Sequence, residues 1–207
     1  MIATESYTTV KDLKYSIMRK LQLNIARIPY YALYEVCNKK NCIEERFLDD
    51  LDNIVDITAV WARETEDYNK RKEPIVFKLY LKIQLYYSFT DNDIDTITMH
   101  YVQTKYDVII GKYKLSEIDI ITLASLHLLD NFANDLEKAK KALDSNLIDY
   151  IPGNVFKALS PQQWVDKIMN FYVTLNFTSK TEVKLTFLEH LKQNSLWEAH
   201  QYWIKVT

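Results

Sequence analysis

Gly111 and Gly153 are the only glycines in a chain of 207 residues. The P-loop and the dinucleotide-binding fingerprint each need several glycines within a few residues, because the backbone must approach phosphate closely. The sequence therefore excludes nucleotide catalysis of those two types. Each glycine is instead expected where the chain must turn.

Apolar residues recur every three or four positions on both sides of Gly111, which predicts two amphipathic helices. The first set is Met99, Val102, Tyr106, Ile109 and Tyr113, and the second is Ile121, Ala124, Leu128 and Phe132. We predict that the first helix covers residues 93–110 and that Gly111 ends it, so that the second can fold back. Ser116 is the predicted N-cap of the second helix.

The C-terminal part of the chain repeats these start and stop signals. Pro152 and Gly153 interrupt one segment, and "SPQQW" then supplies Ser160 as a cap, a proline at the first helical position and a capping-box glutamine. Trp164 heads the apolar face that follows, so we predict that it anchors a helical core. Ser179 and Glu182 have capping-box spacing at the start of one more helix.

The N-terminal part of the chain mixes helical and extended signals. Residues 8–21 predict a capped amphipathic helix, "YYALYEV" predicts a strand, and "ERFLDDLDNIVDITAVWA" predicts a strand, a short connection and a small helical segment. The charged stretch "RETEDYNKRKEP" at residues 63–74 predicts a solvated linker, with a domain boundary at Pro74. Residues 75–89 are predicted to be extended.

Composition predicts a soluble globular protein. The chain is 48% hydrophobic and 26% charged, with a formal net charge of -2, which gives no overall attraction to nucleic acid. The fifteen tyrosines favour core and interface roles over a nucleic-acid stacking surface, because basic residues are not interleaved with them. No signal peptide and no apolar run of ~18 residues is present, which predicts a cytoplasmic location.

The sequence contains no recognisable catalytic or metal-binding motif. Its four histidines are scattered, and no HExxH, paired CxxC or GxSxG element occurs. Cys37 and Cys42 are expected to be unpaired thiols in a loop. The aspartates of "DDLD" and "DNDID" are interpreted as helix-entry charge rather than calcium ligands. We therefore predict a protein that is not an enzyme and has no cofactor or metal ion.

Two basic clusters are candidate contacts for phosphoinositide head groups or a protein partner. The first is Lys70, Arg71 and Lys72 in the predicted linker, and the second includes Lys138 and Lys141 in "KAKK". Lys138 and Lys141 are three residues apart on a predicted helix and can share a face, whereas three adjacent residues of an extended linker cannot. Ordinary solvated lysines remain the alternative interpretation.

Several strings, in this order, resemble the first two lobes of a FERM domain. "TTVKDLKYSIMRKLQL", "YYALYEV" and "EERFLDDLDNIVDI" are similar to the first lobe, and "YVQTKYDVIIGKY", "SEIDIITLASLHLLDNF" and "LIDYIP" are similar to the second. Within that superfamily, "KEPIVFKLYLKIQLYYSF" and "DYIP…LSPQQWVDKI" look most like the tail FERM modules of unconventional myosins that carry a myosin-tail-homology region. Talin is a close second.

The resemblance implies an α+β chain with a ubiquitin-like β-grasp lobe at residues 1–74 and an acyl-CoA-binding-protein-like helical bundle at residues 75–200. Only a handful of residues precede the first matching string, which could leave the β-grasp sheet without its first strand. Residues 201–207 would be the entry to an absent third lobe. Because the family's best-known peptide groove lies in that lobe, no partner-binding residue is carried over.

The resemblance also implies an interaction module that links a cytoskeletal motor or an actin-associated protein to membrane-receptor tails or other membrane-proximal partners. The module would be located at the cytoskeleton or the membrane periphery. It would bind phosphoinositides weakly at most and would not bind nucleic acid. Two alternatives remain open at this point. One is a regulatory FERM segment of a signalling enzyme, and the other is an acyl-CoA or small-ligand carrier that uses the helical lobe.

Overall fold

The chain divides into two compact units, Met1–Ser88 and Phe89–Thr207, called here the sheet unit and the helical unit. The structure is a computed structural model that describes residues 7–40, 42–85, 87, 89–90, 92–194 and 197. The predicted entry to a third lobe, residues 201–207, lies outside the described residues. Among the described residues, no helix is both long and apolar enough to cross a membrane.

The sheet unit combines two helices with a small antiparallel sheet. Its elements are α1 (Val10–Lys20), a 3₁₀ turn (Ile25–Tyr30), β1 (Tyr31–Lys39), β2 (Cys42–Phe47), α2 (Ile54–Lys70) and β3 (Ile75–Ile83). The predicted cap of α1 is confirmed, because Thr9 Oγ1 accepts the Asp12 N–H at 3.2 Å while the Asp12 carboxylate accepts the Thr9 N–H at 3.0 Å. This reciprocal pair satisfies two donors at the helix start.

The central strand of the sheet is β1, since the strand order is β2-β1-β3 and both pairings are antiparallel. One sheet face packs on the two helices through a small apolar core. That core consists of Val10, Leu13, Leu33, Leu48, Ile54 and Ile57. Trp61 of α2 extends it by stacking on Phe77 of β3 at 5.3 Å between ring centroids. Among the described residues, which begin at Tyr7, no strand precedes α1.

The predicted linker and the boundary at Pro74 are wrong. Most of the charged stretch is the second half of α2, which continues to Lys70, and residues 75–83 form β3, which pairs with β1 along its whole length. The glutamates, arginine and lysine in that stretch are good helix formers, so an exposed helix needs no apolar stripe there. The sheet unit therefore extends to Ser88. Cys37 and Cys42 lie in strands and not in a loop.

The helical unit contains five α-helices among its described residues. They are α3 (Ile94–Ile109), α4 (Glu117–Phe132), α5 (Leu136–Asn146), α6 (Pro161–Tyr172) and α7 (Lys180–Lys192). Ser116 and Ser160 cap α4 and α6, as predicted, and both helix starts are complete capping boxes, although a box was predicted for Ser160 alone. Ser179 caps α7, and the Glu182 carboxylate accepts from the N–H and the hydroxyl of Thr178.

Gly111 follows the end of α3, as predicted, with a φ of +78°. Its N–H donates to the carbonyl of Val108 at 3.0 Å, and the N–H of Lys112 donates to the carbonyl of Asp107 at 3.0 Å. These two bonds form a Schellman motif, which gives hydrogen-bond donors to carbonyl groups that have no partner within the helix.

The buried face of α3 differs from the predicted stripe. Val102, a member of that stripe, is 51% exposed, whereas Ile97, Tyr101 and Val108 are buried. The same face also buries polar residues, namely Thr96, His100, Thr104 and Asp107. A count of apolar positions misses such a face, because α3 is oriented by its packing on α7 and not by hydrophobicity alone.

Trp164 is buried in the core of the helical unit, which confirms its predicted role. It heads α6, and Ile168 follows it one turn later on the same buried side. α4 packs against α5, α6 and α7, so it buries residues on nearly every side. A helix that is enclosed in this way must be apolar around most of its circumference.

Candidate interaction surfaces

The first predicted basic cluster lies at the C-terminal end of α2. Lys70 Nζ is 2.9 Å from Glu66 and 3.5 Å from Asp67, and Arg71 places its guanidinium 4.8 Å from the ring centroid of Tyr68. Lys72 has a φ of +58°, so the backbone turns sharply there. Neighbouring groups on α2 therefore engage Lys70 and Arg71, and the three residues do not form an extended linker.

The second predicted cluster lies on α5, where Lys138 and Lys141 are both exposed and one turn apart. Lys138 Nζ is 2.8 Å from the Asp135 carboxylate, which also accepts the Lys138 N–H at 3.1 Å as the N-cap of α5. The Lys138 side chain, as the largest cause, lowers the pKa of Asp135, and Asp135 in turn raises the pKa of Lys138. The structure does bring the two lysines onto one helix.

An apolar groove between α4 and α6 was not predicted from the sequence. It has a volume of about 490 Å³, and its lining includes Ile118, Ile121 and Phe171. Ile118 is 74% exposed. Lys167 and Glu117, which form an ion pair, also line the groove. The one sequence feature that could have indicated this groove is Ile118, which is the second residue of the capped helix α4 and lies outside its predicted apolar stripe.

The sheet face opposite the helices carries aromatic residues on all three strands. Side chains alternate along a strand, so Tyr34 lies on the other side from Leu33, which packs in the core. Its register partners are Phe47 and Tyr80, and the rings of Tyr34 and Phe47 meet edge to face at 5.8 Å.

In the part of the chain that the structure describes, the histidines and cysteines lie on separate helices and strands. There, no group of three or more His, Cys, Asp or Glu side chains is placed to hold a metal ion. His100 and His127 are buried, and burial followed by the charge of Lys105 lowers the pKa of His127 to about 3. His190 Nε2 lies 2.9 Å from Asp119. Burial raises the pKa of the Cys37 thiol, which makes it a poor nucleophile.

A small antiparallel sheet with two helices, followed by a helical bundle, defines a FERM-type fold, and matches to known families agree with it. The family described as "FERM central domain" matches residues 90–202, and the family described as "RA like domain" matches residues 1–85. The chain belongs to the FERM central domain family. The two matches meet close to the end of the sheet unit, in agreement with the corrected boundary.

One curated relative is a myosin. The chain is 30% identical over 122 residues to unconventional myosin heavy chain 6 of Caenorhabditis elegans, which is 57% of this chain and 6% of that protein. The chain therefore spans only a small part of that relative.

Solved structures of myosin tails and merlin share the fold. Mutant 2 of the MyTH4-FERM MF1 domain of Dictyostelium discoideum myosin VII has a TM-score of 0.75 at 16% identity, over 95% of this chain and 39% of that one. The C-terminal MyTH4-FERM domain of human myosin 7b was solved in complex with a harmonin-a PDZ3 domain. It has a TM-score of 0.64 at 22% identity, over 90% of this chain and 38% of that one. The FERM domain of Drosophila merlin has a TM-score of 0.67 at 16% identity, over 93% of this chain and 61% of that one.

Proposed function

We propose that the chain is a non-enzymatic adaptor module that links a cytoskeletal motor or actin-associated protein to membrane-proximal protein partners. The observation that carries this proposal is the similarity to an unconventional myosin over 57% of the chain, together with a fold that it shares with myosin-tail MyTH4-FERM structures. One of those structures is a complex with a PDZ domain, which supports a protein as the partner class.

The finer lobe assignment is part of the same proposal. The sheet unit would be a ubiquitin-like lobe, since two helices cover one face of its antiparallel sheet and an RA-like family matches residues 1–85. The helical unit would be the acyl-CoA-binding-protein-like lobe. The module would work in the cytoplasm, at the cytoskeleton or the membrane periphery.

The test is recovery of a direct partner. The full 207-residue chain is tagged and used to capture proteins, and each candidate is then purified and titrated against the chain by calorimetry. We expect a saturable complex with a cytoskeletal protein or the cytoplasmic tail of a membrane protein. The Trp164→Ala variant, whose core is disrupted, is the folding control and should lose the interaction.

Two results would contradict the adaptor role. The first is a chain that itself turns over a substrate. The second is a set of confirmed partners made up only of catalytic domains, which would support the regulatory-segment alternative.

An acyl-CoA carrier is less well supported by the groove between α4 and α6. A carrier needs basic residues that converge on the phosphates next to an apolar pocket. The lining of this groove includes a single basic residue, Lys167, which is already paired with Glu117.

Phosphoinositide contact through α5 is a further part of the proposal. Lys138 and Lys141 present two ammonium groups to solvent, but Asp135 neutralises part of that charge. Exposed charges are screened within about 8 Å at physiological salt, so binding should be weak and sensitive to salt.

We expect weak sedimentation with phosphoinositide liposomes, which Lys138→Glu combined with Lys141→Glu abolishes. The matched control is Lys70→Glu combined with Lys72→Glu at the end of α2, which should have the smaller effect. Tight binding that survives the Lys138 and Lys141 substitutions would refute this site.

A further inference from the structure

β3 lies at one end of the strand order, so only one of its edges is paired within the described part of the chain. The Gln84 N–H donates to the Tyr30 carbonyl at 2.8 Å, one step beyond the register pair of Tyr31 and Ile83. Hydrogen-bonded pairs recur at every second residue of an antiparallel ladder, so the even-numbered residues of β3 bond to β1. The odd-numbered residues from 75 to 81 point their N–H and C=O groups outward, where the described residues supply no partner.

This edge lacks the features that usually protect an unpaired strand. Protected edges are commonly short, bulged, interrupted by proline or rich in charge. β3 pairs with β1 at nine consecutive positions without a bulge, and Pro74 lies before its first residue. The other edge strand, β2, is exposed along its whole length and includes Glu44, Glu45 and Arg46. β3 is therefore the edge that is more open to another strand.

The two faces of β3 differ in character. On the side of the helices, Leu79 and Leu81 pack against the small core but are only partly buried, and Phe77 stacks on Trp61 with its own surface partly exposed. On the opposite side, Lys78 is exposed. A strand added at the free edge would both pair with the outward backbone groups and cover the remaining apolar surface.

We propose that β3 pairs with β3 of a second copy of this chain, antiparallel and about a twofold axis that passes through Leu79. In this register Leu79 faces Leu79 of the second copy, and Phe77 faces Leu81. The same surface then serves both copies, as a twofold interface requires. The two three-stranded sheets would join into one continuous sheet. This pairing goes beyond the adaptor role and does not depend on it.

The lysines of β3 favour this register over its neighbours. An axis at Lys78 would place Lys78 opposite itself, and an axis at Tyr80 would place Lys78 opposite Lys82, and like charges that face each other across a ladder are destabilising. An axis at Phe77 avoids these contacts but shortens the overlap. With the axis at Leu79, Lys78 faces Tyr80, whose ring attracts a cation.

Sedimentation velocity on the full chain, from nanomolar to high micromolar concentration, tests the pairing. We expect a reversible transition from the 24.6 kDa monomer to a species of twice that mass. Tyr80→Lys should weaken the dimer about tenfold, because the twofold axis places the new lysine opposite Lys78 twice. Lys78→Glu combined with Tyr80→Lys should restore it, since opposite charges then face each other.

A matched control lies on the other edge of the same sheet face. Ile43 of β2 is 63% exposed, so Ile43→Lys adds the same charge at a strand that the dimer does not use, and it should leave the dimer unchanged. Circular dichroism at a concentration where every variant is monomeric checks that each one folds. Restoration by the charge swap also shows that Tyr80→Lys acts at the interface and not on folding.

Amide hydrogen exchange followed by NMR locates the paired edge. The outward N–H groups of Phe77, Leu79 and Leu81 should become protected as the chain concentration rises, whereas those of Ile43 and Glu45 should not. Any of three results would overturn the proposal: a monomer at every concentration, a dimer that Tyr80→Lys leaves unchanged, or a dimer that Ile43→Lys weakens equally. Protection of the outward amides that does not vary with concentration would also overturn it, because a segment of the same chain would then cover the edge.

Discussion

Replacing Gly111 by alanine should destabilise the helical unit, whereas the same replacement at Gly153 should not. Gly111 has a φ of +78° and ends α3 in a Schellman motif, while Gly153 lies outside the left-handed region. The two positions are the only glycines in the chain. They therefore form a matched pair that differs in backbone conformation and not in the atoms added.

The expected size of the effect follows from three contributions. A left-handed conformation costs an L-residue about 1 to 2 kcal/mol. The new methyl group would lie 3.2 to 3.4 Å from side-chain atoms of Asn154, which must shift slightly. Alanine offsets about 0.4 to 1 kcal/mol of this by restricting the unfolded chain. The net loss for Gly111→Ala is about 1 kcal/mol.

Gly153→Ala meets no heavy atom within 4 Å, so only the unfolded-state effect remains. It should leave stability unchanged or raise it by up to about 1 kcal/mol. Urea unfolding followed by helical circular dichroism, with equal slopes required for all three proteins, gives the comparison. If Gly111→Ala were as stable as the unmodified chain, or Gly153→Ala were the more damaging, the assignment of strain to Gly111 would be wrong.

Three further predictions concern core and charge. Trp164→Ala should lower the free energy of unfolding, measured in urea, by about 3 to 5 kcal/mol. Trp164→Phe should lower it much less, because the indole N–H has no hydrogen-bond partner among the described residues. Asp50→Ala should lower the free energy of unfolding by about 2 to 3 kcal/mol, because the buried ammonium of Lys14 loses the carboxylate 2.7 Å away and keeps only the carbonyl of Tyr31 at 3.1 Å. Lys14→Met should lower it less in the same assay. Burial raises the pKa of Asp119, but hydrogen bonds from Ser116 and the contact with His190 outweigh it and lower that pKa below 3.8. Its stabilising contribution is therefore present above pH 3.8 and lost as pH falls through the folded-state value, and Asp119→Asn should remove this part of the acid dependence of urea unfolding.

Helix starts were predictable because they are local. Thr9, Ser116 and Ser160 each cap the helix that the sequence assigned to them, since a cap depends on residues three positions apart. The end of α3 at Gly111 was predictable for the same reason. Trp164 was assigned to the core correctly because it follows a capped start and begins an apolar stripe.

Pairings between distant segments were not predictable from such patterns. The partner of β1 on one side is β3, which follows the whole of α2, and no local feature of residues 75–83 specifies that neighbour. The wrong boundary at Pro74 has this origin. The orientation of α3 was also missed, because packing against α7 decides which of its faces is buried.

The candidate interaction surfaces also differ in how far local sequence patterns could predict them. The predicted basic sites were groups of residues close together in the sequence. Lys138 and Lys141 do share α5, but Lys70, Arg71 and Lys72 lie at the end of α2 and not in a linker. The apolar groove between α4 and α6 is lined by residues that are far apart in the sequence and meet only through the packing of these two helices. A search for charged runs cannot find a site whose members come from separate helices.

The position of β1 between its two neighbours has a consequence for folding during synthesis. Its hairpin with β2 can close as soon as Phe47 is available, but Lys39 pairs with Ile75 and Tyr31 with Ile83. Half of the hydrogen-bonding capacity of β1 must therefore wait until β3 has left the ribosome, which makes the sheet unit slow to complete. In that interval the open edge of β1 is exposed to other nascent chains, and a chaperone that covers an unpaired strand would have its substrate there.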